Sequence, residues 1–243
     1  LAVYSFTDSP NIGAIHSFSF HNYVTLFTTP ELMDMIIGSI ALAIGSAVLA
    51  TILGTTGAIG AFYSKKNVNG TMSVLNQIPV VNADVVTGFS LCILLVVVFG
   101  VSKNTYIPLI IGHTVLSAPF VYLAVVPKLK QMDPSLYEAA LDLGATPGYT
   151  LIHIIIPQIA SGIVSGFVMA VTLSLDDYFV ATYTKPATFD TISTYVVNAT
   201  KGSQTNIRTA LWALSTIIFL IVVIVEVVMN FAPIKNEAQK EKH

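Results

Sequence analysis

Residues 132–157, MDPSLYEAALDLGATPGYTLIHIIIP, interrupt an otherwise strongly apolar chain, and their reading decides the fold. Asp133-Pro134 is a helix-start signal, because an Asp side chain caps free N–H groups and Pro suits the first helical position. Gly144 stands where a helix stops, and Thr146-Pro147 starts another. The pattern predicts two short helices, 134–143 and 147–156, with Pro157 kinking the chain where the next apolar run begins. Leu136, Ala139, Ala140 and Leu143 follow an i, i+3, i+4, i+7 spacing, which is one apolar face. Glu138 and Asp142 lie on another face, a like-charge i, i+4 pair that a cationic partner would relieve. Helices that lie on a bilayer carry Lys or Arg on the polar face. This face is acidic, which suits docking to protein better than to anionic lipid.

On either side the chain is greasy. It is 54% hydrophobic and 10% charged, with a mean hydropathy of +0.76, against about 25% charge in a soluble domain. Charge-poor runs reach the roughly 20 residues that a helix needs to cross hydrocarbon, which predicts a multi-pass membrane protein. Five spans are expected, at about 35–63, 78–101, 105–126, 158–183 and 209–231, with 127–157 as a polar segment and 232–243 as a tail. Gly162, Gly166 and Ala170 form a small-residue stripe for close helix contact. The lone Cys92 permits no intrachain disulfide, and no basic stretch suggests nucleic acid. Residues 1–34 contain no Lys or Arg and are expected to be external, which predicts a membrane helix preceding them. Placing 64–77, 127–157 and the tail on one side collects seven lysines against four basic residues opposite. By the positive-inside rule, the interruption and the C-terminus are cytoplasmic.

Within this frame, "EAALDLGATPGYTLIHIIIP" resembles the EAA motif of ATP-binding-cassette importer permeases. Glu138, Ala139, Ala140, Gly144, Ile154 and Pro157 match it in residue and spacing, while Ile156 stands where Leu is usual. The resemblance implies an all-α membrane bundle of the type I importer (MetI-like) permease class. It also implies that the first helix of the segment docks in a cleft of a cytoplasmic ATPase. No GxxxxGK[ST] phosphate loop is present in the sequence. ATP and Mg are therefore expected in that partner, with no cofactor in this chain and no enzymatic activity of its own. HExxH and GxSxG motifs and a Cys/His cluster are also missing from the sequence, which argues against intramembrane hydrolysis.

Acidic residues inside spans are costly and mark functional candidates. Asp84 is expected about two turns into the second span from its cytoplasmic start, and Asp176-Asp177 late in the fourth, towards the outside. Glu226 reads more simply as a snorkelling or packing residue, and the Asp pair could also be a solvated helix end. Acids flanked by aromatic residues suit a cationic solute, with Tyr178, Phe179, Tyr183 and Tyr195 as candidate rings. His113 reads as a packing or pore residue, and His153 lies in the second coupling helix. "LSLDDYFVATYTKPATFDTISTYVV" and "IPVVNADVVTG" resemble the PotC-type permeases of spermidine/putrescine importers, a likeness that covers essentially the whole chain.

That likeness implies roles in polyamine uptake for Asp84, Ser174, Asp176 and Asp177, and in coupling for Glu138. An external Trp of the family falls near "HNYV", where this chain has Asn22 and Tyr23, so that its aromatic role either passes to Tyr23 or is lost; Trp212 reads as an interface anchor. The implied assembly sits in a bacterial cell membrane and contains a second homologous permease, two ATPase subunits and an external binding lipoprotein. A permease for ferric ion, thiamine or a phosphonate is the alternative within the superfamily. A secondary transporter or channel is the alternative outside it.

Overall fold

A computed structural model describes residues 3–6, 18–133, 135–201, 212–217, 219–220, 223–224 and 227. Pro134, Glu226, most of the expected span 209–231 and the tail 232–243 lie outside the described residues. The helices are α1 (His21–Thr28), α2 (Pro30–Tyr63), α3 (Lys66–Val81), α4 (Asp84–Val98) and α5 (Ile107–Gln131). They continue with α6 (Ser135–Asp142), α7 (Pro147–Gln158), α8 (Ala160–Asp176), α9 (Phe179–Thr184) and α10 (Ile192–Lys201). Two compact units result, residues Leu1–Ile40 with Phe189–His243, and residues Ala41–Thr188.

The first unit has a core of Leu26, Leu32, Met35, Ile192, Ala213 and Leu214. Its α10 is tied to α2 through Ser39, whose hydroxyl accepts a hydrogen bond from the Ile192 N–H at 3.0 Å. Tyr23 belongs to this unit. Its ring packs 5.2 Å from Phe6 and its hydroxyl lies 2.9 Å from Ser5 Oγ.

The second unit is built around α5. α8 lies along it through the predicted stripe: Gly162, Gly166, Ala170 and also Ser174 are the buried positions. A Cβ at Gly162 would stand 2.9 Å from the Ala124 carbonyl oxygen, and one at Gly166 would stand 3.0 Å from Val121 Cα. On the other side α2 approaches at Gly54, where a Cβ would come 2.8 Å from the Ala118 carbonyl oxygen. Ala47, Ala50, Ala58 and Ala61 of α2 then meet Val121, Tyr122, Val125 and Leu129 of α5 in one core. Small residues face in and large ones face out: Ile44, Ile52, Leu53 and Val164 are all exposed. That inversion is what lipid imposes, since it offers no hydrophobic force between helices and close backbone approach must supply the cohesion.

This packing predicts that Gly166→Leu lowers the thermal midpoint of the purified protein in detergent, overpacking costing about 1–3 kcal/mol. Gly45→Leu, with nothing within 4 Å of the new Cβ, should leave the midpoint unchanged. Equal midpoints for the two variants would contradict the packing account.

Three expected spans differ in detail. α2 and α5 are long and apolar enough to cross a membrane, whereas α3 with α4 and α7 with α8 are bent by 103° and 71°. The expected helix 78–101 is therefore divided: its first residues finish α3, Asn82 and Ala83 are extended, and α4 starts at Asp84. Pro79 removes an N–H near the end of α3, so the ladder has little to carry it across Asn82. The expected span 158–183 also stops early, at Asp176, with α9 a separate short helix. α5 runs five residues past the expected limit of 126, placing Lys128 and Lys130 in its last turn, where cations suit the helix dipole.

Candidate functional site

The polar interruption folds as two helices, as its caps predict. Ser135 donates its N–H and its hydroxyl to Asp133 Oδ1 at 2.9 and 2.7 Å. These bonds hold the Asp133 carboxyl below its ordinary value. Gly144 has φ +86°, a left-handed conformation that ends α6 and that glycine adopts without strain. Thr146 Oγ1 accepts the Tyr149 N–H at 3.3 Å and caps α7. Pro157 cannot donate to the His153 carbonyl, and the preceding turn Leu151–Ile155 is widened to a π-helix before the 71° bend into α8.

The face that α6 buries is not the expected one. Leu143 is 90% exposed and Ala139 is exposed, while Ala140 is buried and Leu136, Tyr137 and Leu141 are half-buried. Tyr137 draws the helix round, its ring 5.0 Å from that of Tyr63 at the end of α2. A Tyr ring buries far more apolar area than an Ala methyl, so the stripe through Tyr137 wins over the one through Ala139. Glu138, Ala139, Asp142 and Leu143 consequently share the outward face. The motif residues divide their work: Ala140 and Ile154 pack inward, Gly144 and Pro157 shape the chain, and Glu138 and Ala139 are presented.

The acidic candidates converge. Asp84, Asp176, Asp177, Tyr178 and Phe179 line one cavity of about 270 Å³, with Pro79, Leu116, Phe120 and Leu173 among its apolar walls. The sequence pattern had set Asp84 towards the cytoplasm and the Asp pair towards the outside. Two chain breaks overturn that separation, because Asp84 opens α4 just past the 103° bend and Asp176 closes α8 where that helix stops before Asp177. Asp84 and Asp176 are exposed to the cavity, whereas Asp177 is 8% exposed. Asp177 caps α9: Oδ1 accepts the Val180 N–H at 3.2 Å and Oδ2 the Ala181 N–H at 2.7 Å. Among the described residues, no Lys, Arg or His lines the cavity. Among the described residues, no group of three or more His, Cys, Asp or Glu is placed to hold a metal ion.

Other candidates fall elsewhere. Ser174 is buried behind the cavity wall, 2.7 Å from His113 Nδ1 and 3.2 Å from Ser46 Oγ. Tyr23 and Tyr195 belong to the first unit, and Tyr183 packs edge-on against Phe89 at 5.6 Å. Sequence reasoning missed Leu116 and Phe120, although His113, Leu116, Ser117 and Phe120 keep an i, i+3, i+4, i+7 register along α5. Pro79 carried no comparable signal, since only the bend brings it to the cavity.

A bundle with small residues inside, two bent helix pairs and a capped segment carrying an EAA face defines a membrane permease. The chain belongs to the family of binding-protein-dependent transport system inner membrane components, which matches residues 54–232. It is 31% identical over 189 residues to the putrescine transport system permease protein PotI of Escherichia coli K12, covering 75% of this chain and 67% of that one. It is 30% identical over 223 residues to the spermidine/putrescine transport system permease protein PotC of Haemophilus influenzae, covering 90% and 83%. Among solved structures it is similar to a bacterial ABC transporter involved in alginate import, with TM-score 0.69, 18% identity and coverage of 95% and 88%. It is also similar to the MetNI methionine ABC transporter, with TM-score 0.59, 15% identity and coverage of 84% and 95%. These structural likenesses show the fold, the all-α type I importer permease bundle expected from the sequence.

Proposed function

We propose that the chain is one permease subunit of an ATP-driven importer of polyamines, and that the cavity at Asp84, Asp176 and Asp177 is part of the cation path. The observation that carries this reading is the convergence of three carboxylates with Tyr178 and Phe179 at one cavity that, among the described residues, no basic side chain lines. Carboxylates pair with ammonium groups, aromatic faces attract cations, and the apolar walls accept the methylene stems. The relatives named for putrescine and spermidine transport point to the same substrate class.

The partners are a second, homologous permease, two ATPase subunits on the cytoplasmic face and an external binding lipoprotein. ATP and Mg belong to the ATPases. The tail and α6 face the cytoplasm, where the outward face of Glu138, Ala139, Asp142 and Leu143 meets the ATPase. Closure of the ATPases pushes α6 and α7. Since α7 bends directly into α8, and α8 ends at Asp176, one 17-residue helix connects the pushed segment to the acids. That helix is about 25 Å long at 1.5 Å per residue, so a displacement at its coupling end reaches the cavity as a rigid-body movement.

The test is uptake of labelled putrescine and spermidine into cells that lack polyamine importers of their own and express the complete complex. ATP-dependent uptake that unlabelled polyamine competes away, and ferric ion and thiamine do not, is the expected result. An assembled complex that takes up neither polyamine would overturn the substrate assignment. Failure of this chain to co-purify with an ATPase would overturn the coupling.

A further inference from the structure

His113 is fully buried in α5. Its Nδ1 is 2.7 Å from Ser174 Oγ on α8. Ser174 Oγ is in turn 3.2 Å from Ser46 Oγ on α2, and the single Ser46 proton has both Ser174 Oγ and the Ala43 carbonyl within reach, each at 3.2 Å. The other ring nitrogen, Nε2, is buried and makes no hydrogen bond. It faces Asp177 Oδ2 at 3.6 Å, an electrostatic contact rather than a hydrogen bond.

Two neutral tautomers fit this frame. In one, Nδ1–H donates to Ser174, and Nε2 then turns a lone pair towards a carboxylate oxygen. In the other, Ser46 donates to Ser174, Ser174 donates to Nδ1 and the Nε2–H points at Oδ2. With Asp177 ionised, only the second places opposite partial charges together in a site closed to water.

We infer that His113 is a positioning residue for Asp177, directing its Nε2–H at Oδ2 so that the carboxylate stays aimed and charged beside the cavity. Ser174, which does not line the cavity, supplies the proton that this tautomer needs at Nδ1. It therefore acts on the cation through His113 and Asp177, not by touching it. The backbone N–H groups of Val180 and Ala181 hold Asp177 from α9, and His113 approaches it from α5. The inference rests on the proposed cation path and deepens it.

The experiment uses the assembled importer with labelled putrescine and compares His113→Gln with His113→Asn. A Gln amide nitrogen reaches the position of Nε2, whereas an Asn amide replaces only the Nδ1 end. His113→Gln is expected to keep KM near that of the wild type. His113→Asn should raise KM about tenfold, as loss of a dipole facing a charge in a low-dielectric site, while Vmax and thermal midpoint are retained. Ser174→Ala, which leaves the imidazole in place, should raise KM in the same direction. Gln and Asn variants with equal KM, or a Ser174→Ala variant with unchanged KM, would overturn the inference. That outcome is distinct from failure of the cation path itself, in which the wild-type complex would take up no polyamine.

Discussion

Glu138→Arg is expected to reduce ATP-driven uptake by more than about a hundredfold while the chain still inserts, folds and keeps its thermal midpoint. Glu138 is exposed on α6, and surface substitutions of this kind usually change stability by less than about 0.5 kcal/mol. Arg at this position would in fact answer Asp142 four residues on, turning a repulsive pair into a favourable one. Stability therefore cannot account for a loss of function. On the proposed coupling the effect comes from the partner ATPase, whose docking cleft would complement an acidic and apolar face. Placing like charge against like charge at such a contact costs several kcal/mol, well beyond the roughly 2.7 kcal/mol that a hundredfold loss represents. The measurement pairs uptake with co-purification of the ATPase. Normal uptake with normal co-purification would sink the ATPase-coupled reading and favour a secondary transporter.

Much of the structure behind that prediction was legible in residue order. Asp133, Gly144, Thr146 and Pro157 are local signals whose physics acts within one turn, and each does in the fold what its chemistry suggests. The Gly162, Gly166, Ala170 stripe was readable for a related reason, because lipid leaves close packing as the main source of helix cohesion. The register of α6 was not readable. It depends on Tyr137 finding Tyr63, a residue 74 positions earlier in the chain, and no periodicity within α6 contains that information.

The candidate site shows the same division. Each Asp stood out singly as a charge in an apolar run, but their meeting did not. It requires the 103° bend between α3 and α4 and the stop of α8 at Asp176, and hydropathy windows average across such breaks. Treating 78–101 and 158–183 as straight helices placed Asp84 and Asp176 near opposite membrane faces. The extended residues Asn82 and Ala83, and the stop at Asp177, are what bring them to one cavity.

Because three acids share that cavity, their neutralisation separates charge from structure. Asp176→Asn is expected to lower polyamine uptake about tenfold with no change in thermal midpoint, as its exposed carboxylate makes no structural hydrogen bond among those described. A tenfold loss corresponds to about 1.4 kcal/mol, in line with one partly solvated ion pair in a screened site. Asp177→Asn should do more. Both of its oxygens accept N–H groups of α9, and an amide can keep only one of those bonds, so a cap is weakened by about 1 kcal/mol as well as a charge removed. Uptake should fall further than for Asp176→Asn and the thermal midpoint should also drop. The double variant should be nearly inactive, and the loss should be greater for triply charged spermidine than for doubly charged putrescine, since each ammonium adds a Coulomb partner. A double variant that transports both polyamines at the wild-type rate would remove these two residues from the cation path. Equal losses for the two polyamines would show that the carboxylates hold α9 and the cavity in shape without reading the charge of what passes through.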